Sequence, residues 1–180
     1  MANRKFKFDI FDQKSISNVI KQLYEYRGEL NKKCEEVCRR LSEIGIETAT
    51  QAINEGNFST VVTLKANIDP TTIGCNAILI ATGREVTLDD GRVFNLLFAI
   101  EFGAGIKYNP TSNPKSAEFG FGVGTFPGQK HALDPNGWNY LGDDGEWHHS
   151  YGIRATMPMY KAAEEIRKNI NNIVNEVFRK

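Results

Sequence analysis

The residues best able to support catalysis are histidines and carboxylates clustered in the last third of the chain. The cluster consists of His131, Asp134, Asp143, Asp144, Glu146, His148 and His149. These residue types bind metal ions or act as an acid and base pair in hydrolytic enzymes. Adjacent side chains on a strand point to opposite faces, however, so His148 and His149 are poorly placed to share one ion. The cluster also lacks a helical His-x-x-x-His pair, which disfavours the hypothesis of a metal-dependent hydrolase.

Two cysteines, Cys34 and Cys38, lie four residues apart on a predicted helix, which would place both thiols on one face. A structural zinc site needs further ligands, and Cys75 alone does not complete a set. Both cysteines are in register with Leu30 and Leu41, and cysteine is among the most often buried residue types. We therefore predict that they pack in the core and that the protein has no metal site and no cofactor.

A glycine-rich stretch at residues 120–124 superficially resembles a phosphate-binding loop. It does not open a predicted helix, and no Gly-Lys-Ser or Gly-Lys-Thr sequence follows it. The chain also contains no Gly-x-Ser-x-Gly sequence of the kind that carries a nucleophilic serine. The motifs therefore favour a protein that is not an enzyme and has no catalytic residues.

Composition limits the classes of protein further. The chain has 180 residues, with 22 Lys plus Arg and 22 Asp plus Glu, so its formal net charge is zero. This length predicts a single domain over residues 1–180, and zero net charge does not favour nonspecific binding to DNA or to an acidic membrane. No segment approaches the roughly 20 apolar residues of a membrane-spanning helix. The three cysteines cannot all pair, which favours a reducing cytoplasm as the place of synthesis.

The elements that would position these residues begin with a long helical segment. Apolar residues recur at helical spacing from a predicted cap at Ser15 to Ile53, and the sequence Glu55-Gly56-Asn57 ends the run. Gly28 lies in the middle, where glycine costs about 1 kcal/mol relative to alanine, so we predict two helices, or one with a break or bend there. Residues 1–14 alternate apolar with charged side chains and form either a short strand or an arm that orders on a partner.

Three segments rich in β-branched and aromatic residues follow, at residues 58–68, 73–82 and 92–102. We predict that they are strands. The Asp90-Gly91 turn between the last two predicts that these pair as an antiparallel hairpin. Helices around a small, mainly antiparallel sheet give an α+β fold.

The region at residues 103–152 holds most of the glycine and proline and is predicted to be an insertion loop. Within it, a small hairpin is predicted around residues 142–145, exposing Trp138, Tyr140 and Trp147 as possible interface residues or as a local cluster. Residues 108–127 are predicted to be mobile and to fold on docking. A terminal helix is expected after Met157, with Pro158 in its first turn.

One combination of these features resembles a known family. The Glu101-Phe102-Gly103-Ala104-Gly105 sequence, an insertion, and a proline-led, alanine-rich terminal helix resemble the tail-completion, or neck, family of long-tailed phages, often called putative tail component. The resemblance covers most of residues 29–178. Residues 127–132 and the hairpin after them are similar to the version found in phages of Gram-positive hosts. The longer turn at residues 82–93 and the first 14 residues depart from the family pattern.

The resemblance implies a structural virion protein made in the host cytoplasm. It would act as a homo-oligomeric, hexameric ring that completes the head-proximal end of the tail and joins the tail to the head. Its partners would be copies of itself and the neighbouring neck and tail-tube proteins, with DNA only in transit through the lumen and no membrane. The family has no catalytic residues to transfer. A tail terminator or a head-side stopper of the same neck region is the alternative.

Overall fold

The computed structural model describes residues 5–87, 91–108, 113–120, 134–142 and 144–179. It confirms the α+β class, with a long first helix, small antiparallel sheets and a terminal helix. The elements are α1 (Gln13–Glu55), β1 (Val62–Thr71), β2 (Gly74–Gly83), β3 (Glu85–Thr87), β4 (Val93–Asn95), α2 (Leu96–Phe102), a 3-10 turn (Ile106–Tyr108), β5 (Trp138–Leu141), β6 (Trp147–Ser150) and α3 (Pro158–Arg179). None of the described helices is long and apolar enough to cross a membrane.

Helix α1 is a single helix of 43 residues. Its cap is Asp12, whose carboxylate accepts hydrogen bonds from the backbone N–H groups of Lys14 and Ser15, so the predicted cap at Ser15 was wrong. The predicted break at Gly28 was also wrong, because the cost of one glycine, about 1 kcal/mol, is small beside the cooperativity of so long a helix. The predicted end is confirmed, with Gly56 as the C-cap.

Strands β1 and β2 form a ten-residue antiparallel ribbon in which Val62 pairs with Gly83 and Thr71 with Gly74. This confirms the first two predicted strands, shifted by a few residues. The predicted pairing of the second strand with the third was wrong, because β2 pairs with β1 and the Asp-Gly turn instead lies between the short strands β3 and β4. Residues 88–90 of that turn lie outside the described residues.

The third predicted strand was mostly wrong, since only Val93–Asn95 is extended and Leu96–Phe102 is helical. The physical reason is local capping: the Asn95 side chain accepts a hydrogen bond from the backbone N–H of Leu97, at 3.0 Å. The helix then buries its last four residues, from Ala99 to Phe102. Burial on successive positions suits a short helix end that is covered on every side.

Helices α1 and α3 pack side by side and run antiparallel. Lys161, near the start of α3, lies 3.0 Å from Glu55 at the end of α1, while Glu176 near the end of α3 pairs with Arg40 at 2.6 Å. The predicted terminal helix and the position of Pro158 in its first turn are confirmed. The core residues between the elements are Ala49, Ala52, Ile53, Ala99, Ile100, Phe102, Ala104, Ala162, Ile173 and Val177.

Within the insertion, the predicted small hairpin is confirmed as β5 and β6, with Trp138 opposite Ser150 and Leu141 opposite Trp147. The prediction of mobility at residues 108–127 lies largely outside the described residues. Its described part, residues 113–120, forms turns in which Asn113 is 3% exposed.

The N-terminal segment at residues 5–12 contains no strand, so the strand alternative is wrong for its described part. It lies back along α1 instead. The rings of Phe6 and Tyr26 are 6.4 Å apart, and the N–H of Asp9 donates to the Ser15 hydroxyl at 3.0 Å. The arm therefore covers one side of the first turns of α1.

Candidate assembly surfaces

The sequence from Glu101 to Gly105, which carries the family resemblance, begins at the end of α2. Its Glu101 side chain contacts the start of α3. The Glu101 side chain is buried, and its carboxylate accepts hydrogen bonds from the backbone N–H groups of Met159 and Tyr160, each at 2.9 Å. The Asn113 amide donates a third hydrogen bond, also at 2.9 Å. Helix α3 is therefore capped by a carboxylate that lies 58 residues earlier in the chain.

Burial raises the pKa of Glu101 above its ordinary value, although the hydrogen bonds from Met159, Tyr160 and Asn113 and the nearby Lys161 ammonium oppose the shift. A perturbed carboxyl group often marks a catalytic site. Here the carboxylate oxygens are occupied by the donors of α3 and by Asn113. We therefore assign Glu101 a structural role.

The glycines of the same motif allow two backbone segments to approach closely. Gly103 and Gly105 have φ angles of 82° and 81°, in the left-handed region that favours glycine. Ala104 pairs with Ile153 in an isolated antiparallel bridge. A Cβ atom at Gly105 would lie 2.5 Å from the Tyr151 carbonyl oxygen, so a larger residue would separate the bridge. The motif therefore connects the beginning and the end of the insertion.

The aromatic hairpin divides the three predicted interface residues between its faces. Trp138 and Tyr140 share the face of His148, whose ring stacks on that of Tyr140 at 5.6 Å between centroids. Trp147 lies on the opposite face and is 74% exposed, whereas Trp138 is half-buried. Trp147 is the larger uncovered apolar surface, and the three residues do not form one patch.

The two adjacent histidines point to opposite faces of β6, as their spacing predicted. The Nε2 atom of His148 lies 2.8 Å from an Asp144 carboxylate oxygen, while the Nδ1 atom of His149 lies 3.0 Å from the side-chain oxygen of Asn139. The pKa of Asp144 is lowered, mainly by the hydrogen bond from the Glu146 N–H and then by His148.

Of the other members of the predicted catalytic cluster, Glu146 contacts this pair through its backbone N–H, which donates to the Asp144 carboxylate at 3.0 Å. Asp134 accepts a hydrogen bond from the backbone N–H of Asn136. His131 and Asp143 lie outside the described residues. Within the described ranges, no group of three or more His, Cys, Asp or Glu residues is arranged to hold a metal ion.

The three cysteines lie at the contact between α1 and the ribbon and are each half-buried. The Cys38 thiol donates to the Cys75 carbonyl oxygen at 3.4 Å, and burial raises the pKa of Cys38 to about 11. A thiol with so high a pKa is a poor nucleophile and a poor metal ligand at neutral pH. The geometry of Cys38 therefore agrees with packing at the edge of the core.

A wide cleft of about 1400 Å³ lies between the β3–β4 hairpin and the β5–β6 hairpin. Its volume exceeds the roughly 300–1,000 Å³ typical of small-molecule sites. Charged side chains of both signs line it, including Arg84, Arg154, Glu55 and Asp144.

Further apolar side chains are exposed in the described part of the chain, among them residues of α1 and of the ribbon. On α1, Ile16, Ile20, Leu23 and Tyr24 are 36%, 48%, 47% and 62% exposed. We call these four residues the α1 stripe. The ribbon also exposes Ile78, which is 60% exposed, and the neighbouring Ile80. The periodicity of the sequence identifies the stripe, but only the structure shows how far its side chains are exposed.

Two residues of this architecture were missed from sequence, namely Glu101 and Asn113 as the groups that cap α3. A signal for Glu101 was present, because a lone carboxylate within the apolar stretch Leu96–Phe102 is seldom buried without partners. Asn113 gave no such signal, since asparagine is common in loops.

No family model, curated protein or solved structure matches the chain. The resemblance to the neck family therefore depends on its residues and on the order of its elements.

Proposed function

We propose that this protein is a structural, non-enzymatic component of a phage particle. It forms a homo-oligomeric, hexameric ring that completes the head-proximal end of the tail and joins the tail to the head. Its partners are copies of itself and the neighbouring neck and tail-tube proteins, and DNA passes through the lumen only in transit.

The observation that carries this proposal is the role of the motif behind the resemblance. Glu101 caps α3, and Gly103 and Gly105 bring both ends of the insertion together. The same residues therefore join α2 to α3 and hold the two described ends of the insertion, at Ala104 and Ile153, next to each other. A body that fixes both ends of a long insertion suits a ring subunit whose wall and contact loop have separate tasks.

The surfaces of the chain also support an assembly role. The α1 stripe, the outer face of the ribbon and Trp147 expose large apolar side chains. Apolar surface of this kind commonly becomes buried between proteins. The zero net charge leaves little repulsion between copies, which favours self-association.

The proposal is tested by disrupting the gene in a phage that carries it and imaging the particles by negative-stain electron microscopy. Heads and tails are scored separately. Filled heads beside unattached tails of normal length are expected, and normal infectious particles would overturn the proposal. Complementation with the wild-type gene controls for effects on neighbouring genes.

The same images distinguish the alternative roles within the neck. Tails of irregular length would indicate a tail terminator, and heads that lose their DNA would indicate a head-side stopper. In purified particles, labelling the chain with a gold-conjugated antibody would locate it at the tail end or on the emptied head.

A further inference from the structure

The contact between α1 and the ribbon follows a regular spacing along the helix. The Asn31 amide donates to the Thr71 carbonyl at the tip of the ribbon, and a Cβ atom at Gly45 would lie 3.0 Å from the Leu79 side chain. Cys38 is midway between Asn31 and Gly45 in the sequence. Because seven residues make about two helical turns, all three positions lie on the side of α1 that faces the ribbon.

Cys75 occupies the matching position on the ribbon. It lies four residues before Leu79 on β2, and since side chains alternate along a strand, both belong to the face that packs on α1. The Cys38 thiol donates to the Cys75 carbonyl oxygen at 3.4 Å. The two cysteines therefore face each other across the contact, although they are 37 positions apart in the chain.

The side chains of these two cysteines also interact. After burial, the largest cause of the raised pKa of Cys38 is a hydrogen bond with the Cys75 side chain. Both residues are free thiols and only half-buried, so a small reagent can reach them. Two accessible thiols on elements that are already packed together are the arrangement from which a disulfide bond forms.

Cys34 is the competing partner for Cys38, since it lies one turn earlier on the same helix. The Cβ atoms of residues four apart on a helix are about 5–6 Å from each other, whereas a disulfide needs about 3.5–4.5 Å. A bond between Cys34 and Cys38 would therefore distort α1. A bond between Cys38 and Cys75 instead joins two separate elements across their existing contact.

We propose that Cys38 and Cys75 form a disulfide bond between α1 and the ribbon when the folded protein meets a small disulfide oxidant such as oxidised glutathione. The Cys75 thiolate attacks one sulfur of the oxidant, whose S–S bond breaks and releases one thiol. Cys38 then gives its proton to water, and its sulfur displaces the second thiol from Cys75. The two protein thiols together lose two electrons and two protons, and the oxidant becomes two thiols.

The bond acts as a lock that responds to the redox state of the surroundings. The high pKa of Cys38 makes the second step slow at neutral pH, because only the thiolate attacks. In a cytoplasm with excess thiols the pair stays reduced, and in an oxidising medium it closes. In a phage particle the lock would close after release from the host. That timing rests on the proposed function, whereas the bond itself does not.

The test oxidises the purified, folded, full-length protein with oxidised glutathione, blocks the remaining thiols by alkylation and maps linked peptides by mass spectrometry. A protease that cleaves after glutamate separates Cys34 from Cys38, because Glu35 and Glu36 lie between them. We expect one linked pair, in which the Cys38 peptide is joined to the Cys75 peptide. Reduction before digestion should remove it.

Two variants provide matched controls. Cys34→Ala should keep the bond, and Cys38→Ala should lose it. Three results would overturn the proposal. Glutathione that remains on Cys75 without an internal bond would show that the Cys38 sulfur does not reach it. A linked pair that contains Cys34 would show that the assigned pairing is wrong. An equal yield from the chain unfolded in urea would show that the fold does not hold the two thiols together.

The melting temperature tests whether the bond fits the folded structure. Oxidised Cys34→Ala should melt about 5–15 °C above its reduced form, because the bond restricts the unfolded chain. Cys38→Ala should show no such shift on oxidation. A lower melting temperature of oxidised Cys34→Ala would mean that the bond distorts the contact, which would overturn the proposal. The isolated protein gives these outcomes whether or not it joins heads to tails, so either proposal can fail without the other.

Discussion

Glu101 shows how a single residue connects distant parts of this chain. It lies at the end of α2, and its carboxylate occupies the N-terminus of α3, where the backbone N–H groups of Met159 and Tyr160 have no partner within their own helix. The amide of Asn113 completes its hydrogen bonding. Three segments of the chain thus depend on one side chain.

Replacing Glu101 with alanine should lower the free energy of unfolding by about 1–3 kcal/mol, because buried donors on Met159, Tyr160 and Asn113 would be left without an acceptor. Chemical denaturation followed by circular dichroism measures the change. Glu118→Ala is the matched control, since its exposed carboxylate pairs with Lys115 at the surface. An equal loss in both variants would contradict the capping role.

The raised pKa of Glu101 predicts a pH dependence of stability. Because the folded state holds the Glu101 proton more tightly than the unfolded state, stability should fall as the pH rises through the raised pKa. A Glu101→Gln variant cannot titrate there and should lack this contribution. Denaturation of both proteins from about pH 4 to pH 8 compares the slopes. If the free energies of unfolding of the two proteins change with pH in parallel, burial does not raise the pKa of Glu101.

At the scale of elements, α1 and α2 show opposite relations between sequence and structure. The periodicity of α1 is strong enough that Gly28 does not interrupt the helix. The stretch that forms α2 has the composition of a strand, yet Asn95 caps a helix there and the core covers its last residues. The secondary structure of a short segment depends on its cap and its contacts, whereas that of a long segment follows its own hydrophobic periodicity.

Gly28→Ala should stabilise the protein by about 0.5–1 kcal/mol, because alanine has the higher helix propensity and the added methyl group meets nothing within 4 Å. Gly45→Ala is the comparison, since its methyl group would lie 2.7 Å from Ile166 and 3.0 Å from Leu79. Thermal unfolding should show a gain for the first variant and a smaller gain or a loss for the second. A loss for Gly28→Ala would indicate that α1 bends at this residue in solution.

At the scale of the whole molecule, the burial of each apolar side chain indicates whether it stabilises the fold or is available for assembly. Trp138 is half-buried beside the cleft and contributes to the body, whereas Trp147 extends from the other face of the hairpin. An exposed tryptophan contributes little to the stability of a monomer and much to an interface.

Trp147→Ser should therefore change the free energy of unfolding by no more than about 0.5 kcal/mol. In a phage complemented with this variant, we expect fewer joined particles and more free tails. Trp138→Ser should instead lower the melting temperature, because it removes a half-buried ring. Normal numbers of joined particles with Trp147→Ser would exclude this side chain from the contact that joins the tail to the head.

The sequence by itself determined the features that depend on local periodicity and turn chemistry. These are the end of α1 at Gly56, the two strands of the ribbon, the small hairpin and α3 with Pro158 in its first turn. It also determined that His148 and His149 point apart, because strand geometry alternates side chains.

Only the tertiary structure decided the features that join distant segments. The capping of α3 by Glu101 and the bridge between Ala104 and Ile153 each connect residues that no local pattern relates. The same holds for the exposure of the α1 stripe, because whether an apolar face is covered depends on where the other elements end. Packing decides burial, and burial is not encoded at any single position.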